Sequence, residues 1–335
     1  MRDRLKLRHP LIQAPMAGVS TPELAAAVCE AGGLGSVALA ALDAQGARNA
    51  IARMRELTDR AFAVNLFCHA PPRRDVARET AWLNRLRPEF ARFDAVPPAE
   101  LADGFTSFRV NPAMLQLLVD TSPAVISFHF GLPELAQLTI LRETGALLLA
   151  TATSEAEGRA IADAGLDGIV AQGWQAGGHR GIFNPDGSDE RLETLPLIRR
   201  LTGLGLPVIA AGGIMTRQHA QQAIGAGAVF VQCGTAFLRS PEAATSDAHR
   251  AALSSGTTRM TRAISGRPAR CVENLFTEID GAEAADYPLA YHAGKALNAA
   301  AVAAGQYGYG AFWAGTGAAQ SVARPAAETV GAISP

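Results

Sequence analysis

Apolar residues along the chain fall into short unbroken blocks. Between the blocks they recur every three or four positions. Eight blocks stand out: LIQAPM (11–16), LGSVAL (34–39), FAVNLF (62–67), AVISFHF (124–130), ALLLATA (146–152), GIVAQG (168–173), PVIAAG (207–212) and AVFVQCG (228–234). None shows the polar alternation of a half-solvated strand, so they predict parallel strands covered on both faces. The stretches between them carry helix signals. Thr21-Pro22 offers an N-cap and a proline at the first helical position, and that helix stops at Gly32-Gly33. Ser154 and Glu157 have the spacing of a capping box. Eight strands alternating with helices predict a (β/α)8 TIM barrel. A doubly wound sheet would give a similar string. The strand ends favour the barrel, because Asn65, His129, Thr151, Gln172, Gly212 and Gln232 would then share one mouth.

Two stretches exceed a simple barrel. Residues 68–123 are read as a helical insertion after the third strand, with a bend at Val96-Pro97-Pro98. Residues 241–335 are alanine-rich and are read as a helical extension covering the mouth, which leaves 1–240 as the barrel. Neither has the composition of a flexible linker.

Composition narrows the class. Of 335 residues 48% are hydrophobic and 18% charged, which excludes a disordered chain. Lys and Arg number 30 against 31 Asp and Glu, so no bulk charge draws the protein to nucleic acid or an anionic membrane. Cys29, Cys68, Cys233 and Cys271 show neither a CxxC pair nor metal-ligand spacing and read as reduced thiols. No signal peptide or membrane span is evident, so a cytoplasmic location is expected.

The candidate chemistry sits at strand ends. Ala211-Gly212-Gly213-Ile214 and Gln232-Cys233-Gly234-Thr235 follow the last two strands. There, bare backbone N–H groups in barrels commonly hold phosphate. Two turns required only for folding would look the same. Gly33-Leu34-Gly35-Ser36-Val37-Ala38 matches a dinucleotide fingerprint but leads from helix to strand, the wrong context. After the sixth strand, four glycines within 173–181 surround His179. Histidine is the side chain most easily poised near neutral pH. The amides of Asn65 and Gln172 can donate and accept together, which suits a heterocyclic ring. His129, between two phenylalanines, reads as a core or lining residue. Tyr287, Tyr291 and Lys295 lie four apart and share one helical face. That face could bind a small anion or simply be solvated.

Taken together, Gln13-Ala14-Pro15-Met16-Ala17-Gly18, Asn65-Leu66-Phe67, Gln172-Gly173 through Gly177-Gly178-His179, and the two glycine loops resemble the nitronate monooxygenases. Tyr287-Pro288-Leu289-Ala290-Tyr291, Lys295-Ala296-Leu297-Asn298 and Phe312-Trp313-Ala314-Gly315 resemble the class I branch. The resemblance implies FMN as cofactor and oxidation of alkyl nitronates by O2 to a carbonyl compound and nitrite. Carried over by position, it implies flavin contacts at Met16, Asn65, Gln172 and Gly177. Phosphate contacts are implied at Gly213, Gln232, Cys233, Gly234 and Thr235. His179 matches the active-site histidine, and His129, Tyr287, Tyr291 and Lys295 match substrate-pocket positions. Lys295, with the two tyrosines and His129, would then favour a small nitronate with its own carboxylate, such as propionate 3-nitronate. Two positions depart from the family pattern: Gln175, where Glu is commoner, and Thr316, where Gln is commoner.

Two other activities share parts of this pattern. An FMN-dependent NAD(P)H:quinone or enoyl-thioester reductase would share the loops and the histidine. A flavin-free phosphate-binding barrel of the IMP dehydrogenase type would need a nucleophilic cysteine in 173–185, which holds none. A non-enzymatic binding module fits least, because so many polar strand ends converge.

Overall fold

All eight apolar blocks form strands. In the computed structural model, which describes Met1–Pro335, these are β1 (Leu11–Gln13), β2 (Ser36–Ala38), β3 (Ala63–Phe67), β4 (Val125–His129), β5 (Leu147–Ala152) and β6 (Gly168–Gln172). After a short outlying strand, β7 (Gly178–His179), come β8 (Val208–Ala211) and β9 (Phe230–Cys233). The eight barrel strands pair in parallel in the order β1-β9-β8-β6-β5-β4-β3-β2. A bridge between Ile12 and Leu34 joins the two ends of that order. Inward side chains such as Ile12, Val125, Leu149, Val170, Ile209 and Phe230 pack into an apolar plug at the bottom of the barrel. The polar strand ends therefore face the opposite mouth, where barrels build their sites.

Local chemistry starts the helices where the sequence predicts. In α1 (Pro22–Glu30) the Thr21 hydroxyl accepts the Leu24 N–H at 2.9 Å. Ser154 caps α6 (Glu155–Asp163) by accepting the Glu157 N–H. The reciprocal arm of that box goes elsewhere. The Glu157 carboxylate accepts from Thr153 N–H and Oγ1–H and from the Phe183 N–H, all within 2.7 Å. It thus ties α6 to the loop after β7.

The two additions differ from the sequence expectation. The extension is not purely helical. It contains an antiparallel pair, β10 (Thr258–Thr261) and β11 (Ala269–Val272), and β11 pairs on with β7. Its register sets Ala269 opposite His179, so the extension builds directly onto the site loop. The insertion and the extension also share one core. Trp82, Leu83, Leu86 and Phe90 on α3 (Val76–Ala91) bury against α10 (Leu289–Ala303) and its neighbours. The apolar stripe of α3 needs a partner, and α10 supplies it. Finally, α11 (Ala326–Ile333) returns to the barrel and packs between α1 and α8 (Arg217–Gly225). It completes the outer helical ring, so the barrel does not end at residue 240. No helix is long and apolar enough to cross a membrane.

Candidate active site

A cavity of about 480 Å³ opens at the strand C-terminal ends, beneath a roof formed by Phe105, the start of α10 with Tyr287 before it, and the 311–313 segment. One end is a backbone cradle. Gly213, Ile214, Gly234 and Thr235 donate their N–H groups to no protein acceptor. Such groups at the ends of β8 and β9 are suited to an anion. Gly234 lies against Ala14 and Met16, so a larger side chain there would fill the approach. Gly212 and Ile214 line the cavity. Gly213, with φ of 72°, has its Cα side against Gln175. Thr235 accepts the Gly315 N–H at 2.9 Å, which ties the 312–315 segment to the cradle. The Cys233 thiol is pushed up to about 12 by burial, so it is a neutral wall group rather than a nucleophile. The unpaired N–H groups and the largely apolar lining above them fit a flavin phosphate and ring.

His179 is held from three sides. Its carbonyl accepts from Gln172 Nε2 at 3.0 Å and from His129 Nε2 at 3.1 Å. Gln172 also accepts the Gly181 N–H at 2.7 Å, so its amide organises the histidine loop. The His179 ring bonds Ser265 through Nε2 at 2.9 Å, and Nδ1 opens to the cavity. Burial holds His179 down to about 3 and His129 to about 4. Neighbouring positive charge adds to the effect, including that of Arg267. Arg267 is buried, lies 4.2 Å over the Phe130 ring and has no carboxylate partner in ion-pair range. Both histidines are therefore neutral at pH 7.

His129 lines the cavity as the sequence suggested, but both of its nitrogens are engaged. Nδ1 faces Thr151 Oγ1 at 3.0 Å, and Nε2 donates to the His179 carbonyl. Its ring is left to pack. Asn65 donates to the Ser127 hydroxyl and carbonyl, leaving Oδ1 for the cavity. Gln232 lines the cavity with no protein hydrogen bond from its amide. Gly177 is glycine for a packing reason, since a Cβ there would collide with the backbone of Ala314 and Gly315.

Tyr287, just before α10, and Tyr291 and Lys295 on it all line the cavity from its roof side. The Lys295 ammonium lies 4.3 Å from the Phe105 ring centre and 4.9 Å from that of Tyr291. No acidic side chain is within ion-pair range of it. Partial burial lowers its pKa. The Tyr287 hydroxyl is buried with no protein partner. Trp313 packs 5.0 Å from the His179 ring and 6.4 Å from the Tyr291 ring, centre to centre. The two family departures lie together: Thr316 N–H donates to the Gln175 carbonyl at 3.0 Å. Gln175 Oε1 accepts from Thr194 at the start of α7 (Thr194–Leu201), so its side chain is directed at that helix and not at His179.

Sequence reasoning missed Phe105, Ser265 and Arg267, and it assigned no role to Trp313. Phe105 lies in an irregular loop without periodicity. Ser265 and Arg267 lie in a hairpin turn whose partner, β7, is only two residues long.

The family described as "Nitronate monooxygenase" matches residues 1–333. A nitronate monooxygenase of Paraburkholderia phytofirmans is 50% identical over 334 residues, covering 97% of this chain and 91% of that one. One of Pseudomonas aeruginosa is 46% identical, covering 97% and 95%. Among solved structures, a nitroalkane oxidase from Streptomyces ansochromogenes superposes with a TM-score of 0.89 at 38% identity, covering 99% and 96%. FabK from Thermotoga maritima gives 0.75 at 26% identity, covering 99% and 93%.

Proposed function

The chain belongs to the nitronate monooxygenase family and is a flavin-dependent enzyme that oxidises nitronates; from that premise we propose that its flavin is FMN, that its oxidant is O2, and that it favours a small nitronate carrying its own carboxylate, such as propionate 3-nitronate. The substrate preference rests on two unpartnered groups that line the cavity, the Lys295 ammonium and the buried Tyr287 hydroxyl. Buried polar groups without protein partners gain most from a ligand that completes them. The cradle formed by Gly213, Ile214, Gly234 and Thr235 would hold the FMN phosphate, and Met16, Asn65 and Gln232 would border the ring.

When bound, the flavin supplies an electron acceptor. The chain supplies the rest. A nitronate is already an anion, so no strong base is needed. Lys295 and the two tyrosines supply positive potential and donors. Trp313, Phe105 and the tyrosine rings exclude water. His179, neutral and offering a lone pair, would serve as base only toward a neutral nitroalkane. Its low proton affinity makes that the slower substrate.

The purified protein should carry an FMN visible spectrum. That spectrum should change on anaerobic mixing with propionate 3-nitronate, and nitrite should be released in air. Steady NAD(P)H oxidation with a quinone and no nitrite would favour a reductase instead. Gly234→Val should give largely FMN-free protein. Normal FMN content in that variant would remove the phosphate assignment.

A further inference from the structure

The turn between β10 and β11 carries a buried hydroxyl with one hydrogen to give and several claimants. Ser265 is 1% exposed. Its oxygen lies 2.9 Å from His179 Nε2 and 3.3 Å from the Arg267 carbonyl oxygen. That carbonyl accepts from no other backbone or side-chain donor, so the Ser265 hydrogen is needed there. The hydroxyl oxygen then faces His179 as an acceptor, and the proton of the neutral imidazole lies on Nε2. His179 Nδ1 is left bare, and it is the nitrogen that opens to the cavity.

The turn cannot move out of this arrangement cheaply. A Cβ at Gly266 (φ 87°) would collide with the Ala285 carbonyl, and one at Gly294 of α10 with the Ile264 carbonyl. Gly281 packs as tightly on Ala263. Arg262 adds a bond to the Gly266 carbonyl and an ion pair to Asp186. The hydroxyl is thus fixed by the backbone around it, the condition for preorganising a neighbour.

We propose that Ser265 is a positioning residue that holds His179 in the Nε2–H form and so presents the unprotonated Nδ1 to the substrate. The inference rests on the nitronate reading of the cavity and deepens it. With a neutral nitroalkane, the C–H bond next to the nitro group breaks. Its proton goes to Nδ1, and its electron pair forms the C=N bond of the nitronate. With a preformed nitronate no such transfer occurs, so the tautomer matters less.

The test uses FMN-loaded protein labelled with 15N-histidine. In the wild type, the His179 Nδ1 resonance should fall in the range of a bare ring nitrogen and Nε2 in that of a protonated one. In Ser265→Ala the two shifts should converge as the forms mix. The ratio of kcat/KM for a neutral nitroalkane to that for its nitronate should drop about tenfold or more, since a correctly protonated base contributes at least that much. If Ser265→Ala does not fold, Ser265→Cys replaces the hydroxyl with a poor acceptor, and the wild-type spectrum stands by itself. A wild-type proton on Nδ1, or a variant with unchanged shifts and ratio, overturns the proposal. Nitrite release from preformed nitronate is measured alongside. Its absence would count against the activity and not against the tautomer.

Discussion

Lys295 carries its charge over the rings of Phe105 and Tyr291 instead of beside a carboxylate. Cation–π contacts offset only part of the lost hydration, so an incoming anion has more to gain there than at a paired lysine. Removing a charge-assisted contact typically costs about 1.5–3 kcal/mol. Lys295→Met should therefore cut kcat/KM for propionate 3-nitronate roughly tenfold to a hundredfold. An alkyl nitronate of similar size keeps its nitronate charge but has no carboxylate, and it should lose less. Comparing both substrates in both proteins cancels the shared attraction. Equal losses would assign Lys295 to the nitronate group alone. The four-residue spacing of Tyr287, Tyr291 and Lys295 made this face legible in the sequence. What spacing could not reveal was the missing ion-pair partner, which depends on the insertion loop setting Phe105, and not the Asp103 carboxylate, against the ammonium.

At the scale of elements, the strand blocks and glycine loops were legible because each is local: apolar runs, caps and bare N–H groups need only a few neighbours. The roof was not. Its parts come from 68–105, 258–272 and 285–315, and only folding shows that α3 and α10 share a core. Charge holds that roof to the histidine loop. Asp286 accepts from Arg73 at 2.9 Å and Arg78 at 2.9 Å. Asp186, in the loop beyond β7, accepts from Arg73 at 2.6 Å and Arg262 at 2.8 Å. Asp286 immediately precedes Tyr287, so this cluster fixes the start of the tyrosine face. Against the opposing effect of burial, Arg73 and to a smaller degree Arg78 hold the Asp286 carboxyl below its usual range. Asp286→Ala should free Tyr287 to shift and raise KM for the nitronate about three- to tenfold, with a smaller change in kcat. Because Arg73 is exposed, added salt screens the wild-type cluster, so KM should rise with ionic strength more steeply in wild type than in the variant. Identical salt dependence in the two proteins would show that the roof is held by its apolar core alone.

For the whole molecule, the buried histidines set how stability responds to acid. His69, His129 and His249 are each held to about 4 and His179 to about 3, in every case chiefly by burial. In the unfolded chain each titrates near 6.5. Between those values the unfolded state binds more protons than the native one, so stability rises with pH and falls as pH drops. The sign is the reverse of a histidine that gains an acidic partner on folding. Above about pH 7.5 the four contribute no pH dependence. Below 6.5 each adds a slope approaching about 1.4 kcal/mol per pH unit, and near pH 5 the proton uptake on unfolding approaches four. The lowered carboxyls of Asp186, Asp189 and Asp286 act in the same direction but only at lower pH. Urea unfolding of the FMN-loaded protein from pH 7.5 to 5.0 should show a progressive loss of stability that begins near 6.5, well above the carboxylate range. A carboxylate that partnered any of these rings would flatten the curve, and none is in range of the His129 and His179 pair, whose ring nitrogens meet only Thr151, Ser265 and a carbonyl. Stability that stays level down to pH 5 would mean that the cavity opens to water and lets the histidines take up protons in the native state. That would also raise the proton affinity of His179 toward that of a free imidazole and remove the reason for preferring preformed nitronates.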